Sequence, residues 1–109
     1  MRTFKFNDYE IIAETWESSR NWGHRALLYK KDMFITKYKA TYYNRTWESY
    51  QYQSVVKSVI LKYIDYLADE LFVKYKAKHG LKRLTPTEKS DIIKADDRIA
   101  ELENWLDEL

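Results

Sequence analysis

TPTEKSDIIKADDRIAELENWLDEL, residues 85–109, holds the pattern that decides the fold. Within it Ile92, Ala95, Ile99, Leu102, Leu106 and Leu109 recur at spacings of 3, 4, 3, 4 and 3. On an α-helix that repeat draws one apolar seam, and most of the other positions are charged. The start is marked as well. Thr85 suits an N-cap, Pro86 the first helical position, and Glu88 completes a capping box. The spacing therefore predicts one acidic helix over residues 86–109. From Leu84 onward eight carboxylates stand against three basic residues, a net of −5. Residues 1–83 carry sixteen basic and nine acidic residues, a net of +7, so the overall +2 conceals a divided molecule. A basic body and an acidic arm attract different partners.

A seam needs a cover, and the preceding segment supplies one. Over residues 51–80 Val55, Val56, Val59, Ile60, Tyr63, Ile64, Leu67, Leu71 and Phe72 form a broad apolar face. Ser54, Ser58, Lys62, Asp65 and Asp69 leave only a narrow polar stripe. Such a helix must be covered on more than one side. Gly80 after Lys78 and His79 reads as its stop, with cations at the negative end of the helix dipole. Residues 81–85 are then a turn, and the short link predicts an antiparallel helical hairpin.

Residues 1–50 read as a β-meander whose three strands lie within residues 9–43. Residues 9–16 are rich in β-branched and aromatic side chains, 18–23 are turn-forming, and 24–29 make the second strand. After Lys30-Lys31-Asp32, residues 33–43 alternate with period two. Phe34, Thr36, Tyr38, Ala40 and Tyr42 form the expected core face; Ile35, Lys37, Lys39, Thr41 and Tyr43 form the outer one. The fold class is α+β in one domain: a three-stranded antiparallel meander, a long helix and an acidic heptad helix.

Composition narrows the function classes. With 109 residues the chain holds one core. It contains no cysteine, so disulfides and thiolate metal sites are excluded. Residues 1–5 lack the apolar core of a signal peptide, and no stretch approaches the roughly 18 apolar residues that span a bilayer. These features predict a cytoplasmic protein with no membrane partner. The histidines, His24 and His79, fall in a strand and at a helix end, and no phosphate loop, nucleophile elbow or paired-histidine motif is present. No catalytic residue, metal or cofactor is expected. Asp96, Asp97, Glu101 and Glu103 read as a solvated helix face rather than a cation site.

Two surfaces carry binding chemistry. Lys37, Lys39, Tyr43 and Arg45 share a strand face and its exit, extended by Arg20, Trp22 and Arg25 near the first hairpin. Cations neutralise phosphates while exposed rings stack on bases, which suits RNA or single-stranded DNA. The acidic helix offers Asp96, Asp97, Glu101, Glu103, Asp107 and Glu108 to a basic groove on a partner protein, with Trp105 as an anchor if exposed or as a widening of the hairpin core. Its seam through Ile99, Leu102 and Leu106 also permits a homodimeric coiled coil.

Residues 41–55, TYYNRTWESYQYQSV, resemble a phrase in small accessory proteins of Gram-positive phages, plasmids and prophages, where an aromatic strand leads through Asn-Arg-Thr-Trp-Glu into a helix. In size and divided charge the chain is also similar to type II anti-CRISPR proteins, which are among such accessory proteins. The resemblance implies a non-enzymatic inhibitor in a bacterial host cell. It would bind a CRISPR effector nuclease, or its guide-RNA complex, and block nucleic-acid recognition or assembly.

Overall fold

Two-residue turns set the geometry of the sheet. At Lys31 and Asp32 φ is 50° and 65°, the left-handed pair of a type I′ hairpin, whose twist matches that of the strands it joins. Asn7, in another two-residue connection, also has a left-handed φ of 52°, which asparagine tolerates better than most residues. The Lys31 amide donates to the Asp8 carbonyl at 3.0 Å, tying these two turns together at one end of the sheet. The structure is a computed structural model that describes residues 1–42 and 50–109. Strands β1 (Arg2–Phe6), β2 (Tyr9–Glu17), β3 (Trp22–Lys30) and β4 (Met33–Tyr42) form one antiparallel sheet in chain order. Helices α1 (Tyr50–His79), α2 (Pro86–Lys94) and α3 (Asp97–Glu108) follow. The fold is α+β. None of these helices is long and apolar enough to cross a membrane.

The chain divides into two compact units, Met1–Lys62 with Leu109, and Tyr63–Glu108; α1 contributes to both. In the first, Tyr9, Ile11 and Ala13 of β2 and His24, Ala26 and Leu28 of β3 are buried. They alternate along each strand and stand in register, Ile11 opposite Leu28 and Ala13 opposite Ala26, so they make one face. Val55, Val56, Val59 and Ile60 of α1 are fully buried in the same unit. Specific contacts among the described residues fasten helix to sheet. The Tyr52 and Thr15 hydroxyls are 3.1 Å apart, the Tyr52 ring meets His24 edge-on, and Lys62 Nζ donates to the Lys37 carbonyl at 2.8 Å.

The sheet differs from expectation in two places. It has a fourth strand, β1, pairing Phe4 with Ile11 and Phe6 with Tyr9. It also has a bulge: Leu28 pairs with Thr36 but Tyr29 with Phe34, leaving Ile35 as the extra residue. Thr36, Tyr38 and Ala40 share the rows of the buried face. Phe34 crosses to the other face, stacks edge-on with Tyr29 and is 54% exposed. The expected core face of Phe34, Thr36, Tyr38, Ala40 and Tyr42 is therefore broken, and Tyr38 at the edge is itself exposed. The Tyr42 side chain lies outside the described residues.

On the second face Trp16 lies across Gly23, its indole N–H donating to the Ala40 carbonyl at 3.1 Å. A Cβ at Gly23 would drive into that same carbonyl oxygen and the indole nitrogen. Glycine is required here by close approach, not by a special φ.

In the second unit Ile64, Leu67 and Ala68 of α1 and Ile99, Leu102 and Trp105 of α3 are buried. α1 ends as expected at Gly80, with φ 64° and the Leu81 amide on the Lys76 carbonyl at 2.9 Å, a Schellman stop. α2 begins as expected too, with both arms of the Thr85–Glu88 capping box formed. The single heptad helix, however, is two helices. Asp96 accepts from the Ile99 amide at 3.0 Å through its side chain and from the Ala100 amide at 3.1 Å through its carbonyl. A capping carboxylate competes with helix continuation, so the chain restarts there. The seam breaks with it: Ala95 is exposed and α2 has no buried residue. α3 buries Ile99, Leu102 and Trp105, while Leu106 is half-buried.

Gly23→Ala should lower the urea midpoint, with a loss of about 1–3 kcal/mol from overpacking between β3 and β4. Leu102→Ala should cost about 2–5 kcal/mol, the ordinary penalty for a cavity at a buried leucine. A monomeric variant of unchanged stability would show that Leu102 is not in the core of the chain.

Candidate functional site

Two of the cations on the sheet's second face have partners within the sheet. Glu14, Arg25 and Lys39 lie in one row across β2, β3 and β4. Arg25 Nε donates to Glu14 Oε1 in an ion pair, and Lys39 Nζ sits 3.7 Å from the centre of the Trp16 ring. Lys5, Lys37 and Arg20 are exposed with no ion pair among the described residues, and the ammonium of Lys39 meets a ring rather than a carboxylate. Trp22 does not belong to this face. It precedes His24 by two residues on β3, and its ring meets that of His24 edge-on at 5.8 Å on the buried side. Tyr43 and Arg45 lie outside the described residues. Of the expected nucleic-acid surface the structure brings together Arg25, Lys37 and Lys39, and two of those three already have partners.

His24 is 1% exposed, enclosed by the Trp22 and Tyr52 rings, and burial pushes its pKa below the ordinary 6.5. Such a side chain is a packing element that favours the neutral ring. His79 is exposed at the end of α1, its ring 4.3 Å from that of Tyr75. Among the described residues no group of three or more His, Asp or Glu side chains is placed to hold a metal ion.

The acidic residues of the last segment separate into two kinds. Asp96 is used internally. Burial opposes its ionisation, but the Ile99 amide and the Arg98 guanidinium outweigh that and hold its carboxyl below the usual range. Trp105, an anchor for a partner if exposed and otherwise a widening of the core, is 2% exposed and takes the second role. It follows Ile99 and Leu102 at i+6 and i+3, so its ring faces inward with them. Asp97, Glu103, Asp107 and Glu108 are exposed, and Glu101 is half-buried. At 100° per residue these five carboxylates spread over roughly 160° of α3, opposite its apolar stripe. Among the described residues none of the five makes an ion pair.

The structure also gathers a second charged surface. Phe72, Val73 and Leu84 floor a groove of about 440 Å³ in the second unit. Lys76, Lys82, Arg83 and Lys89 rim it, and Asp69 is the single acid among the described residues of the lining. No α3 residue lines the groove. Gly80 reverses the chain and Lys89 arrives from α2, so the cluster joins positions that no sequence periodicity connects. Comparison with protein-family models, curated proteins and solved structures gives no match.

The pH dependence of stability checks the placement of His24. Its folded pKa lies below its unfolded one, so the unfolded state binds the proton more tightly. Stability should be full above about 6.5 and fall as the pH drops through the lower folded value. His24→Phe should remove that loss from urea titrations between pH 7 and pH 5. An unchanged profile in the variant would assign it to another group.

Proposed function

We propose that this protein is a stoichiometric, non-enzymatic inhibitor that presents α3 to a basic, nucleic-acid-handling surface of another protein. One observation carries the reading: five carboxylates on the outer arc of a 12-residue helix, with no ion pair among the described residues. An arc of like charge without internal partners is costly to the isolated chain and favourable once cations meet it. It also steers encounter with a basic groove, raising the association rate and making it salt-sensitive. The buried side of α3 contributes rigidity, since Ile99, Leu102 and Trp105 hold the helix as a preorganised face.

The resemblance of residues 41–55 directs this reading to a CRISPR effector nuclease, or its guide-RNA complex, in the cytoplasm of a bacterial host. Inhibition would be by occlusion, with Asp97, Glu101, Glu103, Asp107 and Glu108 taking the place of nucleic-acid phosphates. Binding of RNA or single-stranded DNA through the sheet is less favoured, because Trp22 faces the core and Arg25 and Lys39 are engaged. A homodimer through the heptad seam is also less favoured, because Ile99 and Leu102 are already covered within one chain.

A pulldown from nuclease-treated host lysate tests the reading, followed by cleavage assays with the captured effector. Wild-type protein should retain a nucleic-acid-processing complex and slow it at stoichiometric concentration. Glu101→Gln, Glu103→Gln, Asp107→Asn and Glu108→Gln combined should weaken capture at least about tenfold, roughly 1.4 kcal/mol. Full effector activity in excess wild-type protein, or undiminished capture by the neutralised variant, would reject this role for α3.

A further inference from the structure

We propose that the groove between the second half of α1, the 80–85 connection and α2 binds the phosphates of a nucleotide, either free or at the end of a single strand. This does not rest on the role assigned to α3. Lys76, Lys82, Arg83 and Lys89 line a space that, among the described residues, has one carboxylate in its lining, Asp69. Among the described residues none of the four cations makes an ion pair. Four like charges confined to one groove raise each other's energy, and a multiply charged anion relieves all of them at once.

The floor argues against a simple inorganic ion. Phe72, Val73 and Leu84 are apolar, and Val73 is 62% exposed, so the lining offers a ligand with an apolar or flat body a surface to cover. Lys89 Nζ stands 5.6 Å from the centre of the Phe72 ring. A base lying on that ring would leave the ammonium free to meet a phosphate, the pairing of stack and charge that single-strand sites use. The volume, about 440 Å³, falls in the lower part of the range for small-ligand sites.

An acidic peptide fits less well. The unit is built of helices, so it has no strand edge for an extended peptide, and three apolar residues make too short a floor for an amphipathic helix. Long duplexes are disfavoured by charge. Residues 63–108 hold eight basic and eleven acidic residues, a net of −3, so the groove is a positive island in a negative unit. Its attraction acts at close range and suits a short phosphate chain or a strand end.

The experiment is binding of four probes at 50–200 mM salt: a nucleoside triphosphate by calorimetry, a labelled eight-nucleotide single strand by fluorescence polarisation, inorganic phosphate, and a polyglutamate peptide. Triphosphate binding alone identifies a free nucleotide as the ligand; tighter binding of the strand identifies a strand end. If the strand engages all four cations, the slope of log K against log salt should be about −2.8, falling to about −1.4 in Lys82→Ala with Arg83→Ala. That double variant should weaken the preferred probe at least tenfold while its circular dichroism is unchanged. Phe72→Leu should weaken the nucleotide but not inorganic phosphate. Lys37→Ala with Lys39→Ala should bind as wild type does. The proposal is overturned if neither nucleotide probe binds at 50 mM salt, or if the groove variant binds undiminished. It is also overturned if the sheet variant loses as much, or if inorganic phosphate or a polyglutamate peptide binds as tightly as the nucleotides.

Discussion

α1 cannot stand in water alone, and both units answer that constraint. Thirty residues give it about 45 Å of length, and its apolar positions occupy most of its circumference rather than one stripe. In the first unit Val55, Val56, Val59 and Ile60 are lost entirely from solvent. In the second Ile64, Leu67 and Ala68 are buried. At about 25 cal/mol per Å² of apolar surface, each fully buried Val or Ile contributes roughly 1.5–3 kcal/mol. Against the conformational entropy of ordering so long a segment, only the sum suffices. The requirement also explains the economy of the remaining elements: a sheet with one apolar face in one unit, and two short helices in the other.

The parts of this arrangement legible in the sequence are those with local chemistry. Thr85-Pro86-Thr87-Glu88 states a helix start in four residues, and Gly80 after two cationic residues states a stop; both caps form. Strands β2, β3 and β4 follow from β-branched and aromatic runs separated by turn residues. What was not legible depends on partners distant in the chain. β1 has five residues and only Phe4 and Phe6 as an inward pair, too short for alternation to be convincing without β2 beside it. The bulge at Ile35 is set by how β4 fits β3, so strict alternation placed Phe34 on the wrong face. Asp96 interrupts the heptad because its carboxylate captures the Ile99 amide, a local event hidden by the apolar spacing that continues across it.

The candidate sites were legible to the same degree. Exposure of Asp97, Glu103, Asp107 and Glu108 follows from their lying outside the apolar arc of Ile99, Leu102 and Leu106 on a helix. The fate of Trp105 does not, because a large ring beside a seam either widens the core or leaves it, and packing decides. Charge on the sheet face was visible as a list of cations, while its cancellation was not. Glu14 meets Arg25 only through the β2–β3 register, and Lys39 finds Trp16 across an intervening strand. The basic groove needs three separate segments to come together, and only the fold assembles them.

The outer strands of the sheet carry a further consequence. β4 interrupts its ladder at Ile35 and holds Lys37 and Lys39; β1 is brief and bears Arg2 and Lys5. A foreign strand approaching either flank would find a broken or short row of amides and would have to strip hydration from ammonium or guanidinium groups. Even crowded at high expression, the sheet is thus poorly suited to seed cross-β fibrils, although ten tyrosines and four tryptophans make the chain rich in the rings such fibrils stack.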